Sequence, residues 1–456
     1  VYYVDGAPRV FDARIFDEID SDHPGGWGTV LAVTMRFGGG AYYVDWDGVA
    51  GNGPSGSDAE MRMRSSLVLF DVTNPEQPPQ LMAELTDDQL GDFFFTTSQP
   101  ALIRNHQAGT GADWENPATN DWSLVFGAGP TSLSAATTSN AAQVFVLELA
   151  TLDFKLGYAP QILADQTETF TGNFAAVDWT LNGATDAVYF GLAGGDNLTP
   201  SGGVQRLSID ETGNMALSAL LPTQVGQAFT AAPAAHTDRS GQRWVQIGSG
   251  RLFVAADNQS TAEQAFYALK ESSDVDAVAA DLVDVTGVDQ DEVGALTPES
   301  FEVDGESVTT IDELNAAISV NDGWKRGLFY DGASPSGRVI EPALFLEDLV
   351  LFTAYSPDGL LCEPSGTSRL YGLDLRNGVR RLDAGLTVPG ENNEDDLVGT
   401  VTIGSGLAFS PLIHSSTGEF GGNQVIVADD KGGYTFQSVL LPALQGGRES
   451  WRQIAW

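Results

Sequence analysis

Residues 176–191 read AVDWTLNGATDAVYFG, and inside them Asp178, Thr180 and Asn182 alternate before Gly183, with Asp186 closing the stretch. Calcium takes about six to eight oxygens from a flexible loop whose alternate side chains point inward, with a glycine permitting the sharp turn. On that scheme Asp178, Thr180, Asn182 and Asp186 supply side-chain oxygens and Ala184 its backbone carbonyl. Thr180 puts a neutral hydroxyl where a carboxylate or amide is expected, which weakens the attraction for a divalent cation. The same letters also have an ion-free reading. Asn182-Gly183 is a strong hairpin signal, and a turn between VDWTL and AVYFG needs no metal.

Other chemistry is sparse. Asp45 and Asp47, with Asn52 and Asp58, form an acidic group whose spacing fits no ion-binding loop, and Asp289, Asp291 and Glu292 form another. Both are expected to be solvated insertions. The four histidines, His23, His106, His236 and His414, are scattered along the chain, the usual pattern of structural or surface histidines. There is no G-x-S-x-G elbow, no H-E-x-x-H and no phosphate-binding loop. No pair of carboxylates stands out as an acid and base, and the chain is not expected to be an enzyme.

The elements that must position these residues come from a repeated unit. A strand with Pro or small residues is followed by a β-rich run ending in Gly, then by an aromatic-aliphatic strand ending in a turn. Examples are SQPALIRN, DWSLVFGAG and QVFVLELATLD; then GNFAAVDW, DAVYFGLAGG and GVQRLSIDETGN. Six such units can be counted, the last built on FSPLIHSS, QVIVADDKGG and YTFQSVL. Short strands rich in Val, Leu, Phe and Tyr, punctuated by Gly, Asn and Asp, suit half-buried antiparallel sheets. Radially arrayed, they predict an all-β fold, a β-propeller of six or seven blades, as a single domain over 1–456. Long loop insertions are expected at 43–64, 271–320 and 389–400. The one helical signal is TIDELNAAISV (310–320), where Thr310 and Glu313 have capping-box spacing.

The composition bounds the partners. With 62 acidic and 22 basic residues the formal net charge is −40. So acidic a surface repels nucleic-acid phosphates and anionic lipid heads. Most of these carboxylates are expected to keep the surface solvated. Residues 271–313 hold fourteen carboxylates and no Lys or Arg. No apolar run reaches the roughly 18 residues a membrane-spanning helix needs. The single cysteine, Cys362, rules out an internal disulfide and a cysteine-based zinc site. It is expected either to be buried or to pair outside this segment. The chain opens on VYYVDGAPRV with no signal-like stretch, and it is expected to begin inside a longer precursor.

The order of the units resembles the C-terminal propeller of the type IV pilus tip adhesin and biogenesis family (PilY/PilC type). The resemblance is carried by YYVDGAPRV, by SSLVLFDVTNPEQPPQLMAEL (65–85) and by RWVQIGSGRLFVAADN. It is most specific in IEPALFLEDLVLFTAYSPDGLLCEPSGTSRLYGLDLRNG (340–378), and GRESWRQI (447–454) is similar to the family's closing strand. The family's N-terminal half, often with a von Willebrand-type A domain, is not part of this sequence, nor is the blade expected before the opening strand. The resemblance implies an exported protein at the pilus tip, on the cell surface, that supports pilus biogenesis and attachment, with minor pilins as partners and an adhesion ligand of unknown kind. It also implies calcium in the family's D-x-D-x-[ND]-G-x-x-D loop, with which Asp178–Asp186 aligns except at Thr180. Two other readings stay open. RLYGLDLRNG also fits the repeat of quinoprotein-like propeller dehydrogenases, although their vicinal disulfide is impossible with one cysteine. A pilus-unrelated lectin or matrix-binding propeller would use the same variable loops.

Overall fold

The architecture is a β-propeller, seen in a computed structural model that describes residues 4–40, 42–45, 48–49, 51, 61–91, 93–106, 120–154, 161–272, 278–299, 301–328, 336–359, 366–390, 395–415 and 423–441. The first sheet contains β1 (Arg9–Arg14), β2 (Trp27–Thr34), β5 (Leu67–Asp71) and β6 (Gln80–Leu85), with a hairpin of β3 (Tyr42–Val44) and β4 (Met61–Met63) outside it. The second is β7 (Ala101–His106), β8 (Asn120–Gly127), β9 (Gln143–Glu148) and β10 (Gln161–Ile162). The third is β11 (Thr169–Val177), β12 (Ala187–Gly194), β13 (Ser201–Ile209) and β14 (Met215–Val225). The second and third are antiparallel meanders in which sequence neighbours pair directly, while in the first β2 pairs with β5 across the β3–β4 insertion.

The remaining sheets recruit strands from their connections. The fourth contains β15 (Ala234–Thr237), β16 (Arg243–Gly248) and β17 (Ala265–Lys270). It adds β18 (Val283–Asp284) in parallel to β23 (Gly323–Gly327) at its outer edge. Between them lie the hairpins β19–β20 (Asp289–Gln290, Leu296–Thr297) and β21–β22 (Phe301–Val303, Glu306–Val308), then a helix over Ile311–Val320. This helix starts as its sequence indicates. The Thr310 hydroxyl accepts from the Glu313 amide at 3.3 Å, and the Glu313 carboxylate accepts from the Thr310 amide at 3.2 Å. Leu314 and Ile318 are buried against Val283, Val285, Val303 and Val308, so 271–320 includes a packed layer on the fourth blade as well as acidic loop.

The fifth sheet is β24 (Leu344–Leu346), β25 (Leu349–Ser356), β26 (Thr367–Asp374) and β29 (Thr400–Ser405). The sixth is β30 (Leu412–Ser415), β31 (Asn423–Ala428) and β32 (Tyr434–Leu440), extended by β27 (Gly385–Pro389) and β28 (Asp395–Val398). Part of 389–400, whose acidic letters suggest a loop, is therefore strand. Leu397 and Val398 pair with Thr387 and Leu386, which outweighs the polarity of the segment.

Apolar clusters fill the spaces between successive sheets. Phe126 and Phe145 stack between the first and second, and Phe174 and Phe190 meet between the second and third. Phe266, Phe352 and Tyr371 form a continuous stack between the fourth and fifth, with centroid spacings of 3.8 and 4.7 Å. Among the described residues no apolar cluster joins the sixth sheet to the first.

A backbone joint recurs where each of the first four sheets hands on to the next. The segment leading into one blade lies across the end of the second strand of the blade before it. Thr171 donates its amide to the Ala128 carbonyl at 3.2 Å, Phe229 to Leu192 at 2.9 Å, and Val339 to Ser249 at 3.0 Å. In the first joint Arg36 donates to the Thr96 carbonyl at 3.2 Å. Glycines in the second strands of the second, third and fourth sheets, Gly127, Gly191 and Gly248, answer to this crossing. A Cβ on Gly191 would stand 2.5 Å from the Phe229 Cβ and closer still to its carbonyl oxygen, which no side chain tolerates. Overpacking a closed joint costs about 1–3 kcal/mol. Gly191→Ala is expected to lower the urea midpoint by an amount in that range, with the m-value unchanged.

Candidate metal loop

The loop 178–186 closes the β11–β12 hairpin, where Val177 pairs with Ala187 and the Asp186 amide donates to the Val177 carbonyl at 2.8 Å. It is not the two-residue Asn-Gly turn. The left-handed residues are Leu181 (φ 55°) and Gly183 (φ 83°), whereas a type I′ turn on Asn182-Gly183 needs both of its central residues there. Leu181 is 83% exposed, so nothing apolar holds the loop tip.

The predicted side chains converge. Asp178 accepts the Asn182 amide at 3.2 Å on Oδ1 and the Gly183 amide at 2.5 Å on Oδ2. Asp186 Oδ2 accepts the Thr180 amide at 2.8 Å. The Thr180 hydroxyl lies 3.3 Å from Asp178 Oδ1 and 3.4 Å from Asp186 Oδ1, between the two carboxylates. Asn182 Oδ1 accepts the Ala184 amide at 2.8 Å. Thr180 thus occupies the centre of the loop and donates where an acid would add charge. Two carboxylates, an amide and a hydroxyl are hard oxygen donors of the kind calcium takes. The set fits such an ion in chemical type, with two formal negative charges. Among the described residues no three or more His, Cys, Asp or Glu side chains come together as a metal-holding group.

Neighbouring blades fix the loop from beneath. Thr185 donates its amide to the Arg104 carbonyl at 2.9 Å, and its hydroxyl accepts the Arg104 amide at 3.1 Å, which ties the loop to the second sheet. Trp179 donates its indole N–H to the Tyr189 hydroxyl at 2.9 Å and lies beneath the Arg243 guanidinium. Burial pushes the Tyr189 phenol up, reinforced by the nearby Glu271 carboxylate. Glu271 in turn accepts from Arg206, only 1% exposed, at 2.6 Å. Burial raises the Glu271 carboxyl against the opposing pull of Arg206.

A related device recurs elsewhere, and the sequence reading missed it. Asp210 Oδ1 accepts the amides of Thr212 and Asn214 at 2.8 and 2.9 Å. Asp238 does the same for Ser240 and Gln242, and Asp429 for Lys431 and Gly433. The signal was an Asp at the strand end followed by polar or glycine residues two and four places on. Asx-type bonds of this kind hold a turn without an ion. The 178–186 loop differs in length and in returning a second carboxylate, Asp186, to the same hydroxyl.

The other candidates separate. Asp45 accepts the Gly48 amide at 2.6 Å, whereas Asp47, Asn52 and Asp58 lie outside the described residues, as does Cys362. Asp289 pairs with Arg380 at 2.9 Å, and Asp291 accepts the amides of Val293 and Ala295, so both hold the insertion together. His23 is buried between Asp20 and Asp71, at 3.0 and 2.8 Å. Its burial opposes charging, but the two carboxylates outweigh it and raise the imidazole. His236 stacks on Phe345, and His414 lies on β30. These three do not meet.

Comparison with known proteins follows the fold. No protein-family model matches the chain. Two curated Xylella fastidiosa proteins, each called Type IV pilus biogenesis factor PilY1 homolog, are similar to it. One is 25% identical over 468 residues, covering 99% of this chain and 31% of the relative; the other is 24% identical over 409 residues, covering 84% and 23%. The chain therefore spans less than a third of the length of either. The crystal structure of the Pseudomonas aeruginosa PilY1 C-terminal domain superposes with a TM-score of 0.60 at 18% identity, covering 95% of this chain and 84% of that one. The resemblance read from the sequence is borne out, and the fold is that of a PilY1-type C-terminal β-propeller.

Asp178 is expected to stabilise the loop without any ion. With a chelator present, Asp178→Ala should lower stability by about 1–2 kcal/mol, because two backbone amides lose their acceptor. Asp210→Ala should cost a similar amount. Both are read from urea unfolding curves.

Proposed function

We propose that this chain is the propeller of a type IV pilus-associated protein, a non-enzymatic factor that supports pilus biogenesis and surface attachment. The observation that carries this reading is similarity running over 99% of the chain to a curated pilus biogenesis factor, on a shared propeller fold. Its place is the cell surface at the pilus tip, with minor pilins as partners. A strongly acidic, rigid ring presenting long loops suits a surface protein that keeps itself soluble and binds through loop tips. No helix among the described residues is long and apolar enough to cross a membrane. Deleting the gene is expected to reduce surface pili and twitching motility, and returning the full-length gene should restore both. Normal piliation in the deletion strain would remove the pilus reading.

Calcium is the proposed cofactor of the 178–186 loop, held by Asp178, Thr180, Asn182, the Ala184 carbonyl and Asp186. An ion there would replace the hydroxyl's contacts with the two carboxylates and stiffen the hairpin. Thr180 keeps the affinity low, because each missing charge weakens attraction for a dication. Titrating calcium should raise the melting temperature of the protein, and joint Asp178→Ala and Asp186→Ala substitution should abolish the rise. Thr180→Asp should move the titration midpoint to lower calcium. An unchanged melting temperature at millimolar calcium in the native chain would refute the site.

A further inference from the structure

The six blades meet around one cavity of about 280 Å³, near the low end of the roughly 300–1,000 Å³ range of small-molecule sites. Each blade contributes to its wall: Arg36, Gln99, Asn173, Thr230, Glu341 and Phe409, in order from the first to the sixth. Most of these residues lie in the segments that make the backbone joints, on the rigid part of the ring rather than on its long loops.

Arg36 is the unusual member. The chain has nearly three acids for every base, yet the Arg36 guanidinium forms no ion pair and no hydrogen bond among the described residues. Its one described contact is with the Phe253 ring, 5.7 Å from the centroid. Its backbone has φ +48°, a conformation that non-glycine residues adopt rarely and that persists where surroundings enforce it. The enforcement is visible: Arg36 donates its amide to the Thr96 carbonyl at 3.2 Å, and Met35 donates to the Thr96 hydroxyl at 2.7 Å. The joint therefore places a guanidinium at the cavity wall, where Asp5 and Glu341 are also present but neither reaches ion-pair distance of it among the described residues.

The polar groups around it are only partly used. Asn173 Oδ1 accepts the Gln99 amide at 2.8 Å, and neither the Asn173 NH₂ nor the Gln99 side chain donates to a described residue. Glu341 Oε2 accepts from Ser410 at 3.3 Å, while its other oxygen accepts nothing described. Arg36 is close enough to act on the Glu341 charge without reaching ion-pair distance. Phe253 adds a flat apolar wall. A guanidinium suits a carboxylate through its planar fork, amides and a carboxyl group suit hydroxyls, and an aromatic face suits the C–H face of a sugar ring.

The geometry points to a binding site at the propeller axis for a single acidic sugar ring, a hexuronic acid or similar polyhydroxylated carboxylate, with Arg36 taking the carboxylate. Asn173, Gln99 and Glu341 then read the hydroxyls, and the cavity volume limits the occupant to about one ring. This inference stands on the cavity alone and is independent of pilus association.

The test uses the full 456-residue chain and titrations of D-glucuronate and D-galacturonate followed by calorimetry or ligand-observed NMR. One of the two uronates should bind at least about tenfold more tightly than glucose, galactose and its own methyl ester, a difference of about 1.4 kcal/mol. Arg36→Gln should erase that preference while the melting temperature stays unchanged. The methyl ester keeps the test decisive if the variant fails to fold, because it removes the charge from the ligand instead. Saturable binding of neither uronate at about 10 mM, well above a millimolar Kd, overturns the proposal. So does equal binding of uronate and methyl ester, or an undiminished preference in folded Arg36→Gln.

Discussion

Backbone contact between one blade's leading segment and the end of its predecessor's second strand is the constraint on which the rest of this ring depends. At Phe229 over Leu192, and at Val339 over Ser249, an amide of the incoming chain bonds a carbonyl of the outgoing strand. Side chains cannot fit in that gap, so Gly191 and its equivalents mark it in the sequence. The inter-sheet cores, such as the Phe266–Phe352–Tyr371 stack, are brought into register by this approach as much as by their own packing. It also sets the width of the axial cavity, whose wall is largely built from the residues that cross.

Few cations are available in a chain of net charge −40, and several are buried at the joints. Arg251, 4% exposed, donates to Asp257 at 3.1 Å in its own blade, to the Gly195 carbonyl of the third blade at 3.0 Å and to the Ala135 carbonyl of the second. Asp257 in turn accepts the amides of Phe253 and Val254. Arg338 reaches the Ser260 carbonyl at 3.1 Å, and burial pushes its guanidinium down to about 10. Breaking a buried pair of this kind costs far more than removing a surface one. Against this background, a cavity arginine with neither a carboxylate nor a carbonyl partner among the described residues differs from its neighbours in kind.

The aspartate turns show how one residue type serves two ends. Asp210, Asp238 and Asp429 hold their turns by accepting amides, which needs no ion and leaves the charge partly compensated. Asp178 accepts amides in a related way, so its hydrogen bonds do not by themselves signal a metal. What separates its loop is Asp186, which places a second carboxylate on the far side of the Thr180 hydroxyl. A threonine there bridges the two acids in the absence of an ion and lowers the charge that would draw one in.

Strand positions, the helix at Ile311–Val320 with its Thr310 cap, the repeated unit and the convergence of Asp178, Thr180, Asn182 and Asp186 were all legible in the sequence. Each rests on local rules: alternation with period two, turn chemistry and capping spacing act over a few residues and need no distant partner. The acidic segment 389–400 misled, because its charge argued for loop while Leu386 and Val398 supplied the pairing that made part of it strand. Arg36 carries no local signal at all. It precedes Phe37 after an ordinary strand, and only the arrangement of the blades shows that it lines a cavity walled by six of them, with Asp5 and Glu341 in the same wall but not at ion-pair distance among the described residues. Such juxtapositions join residues hundreds of positions apart, so local periodicity determined the blades while the long-range joints decided what stands at their axis.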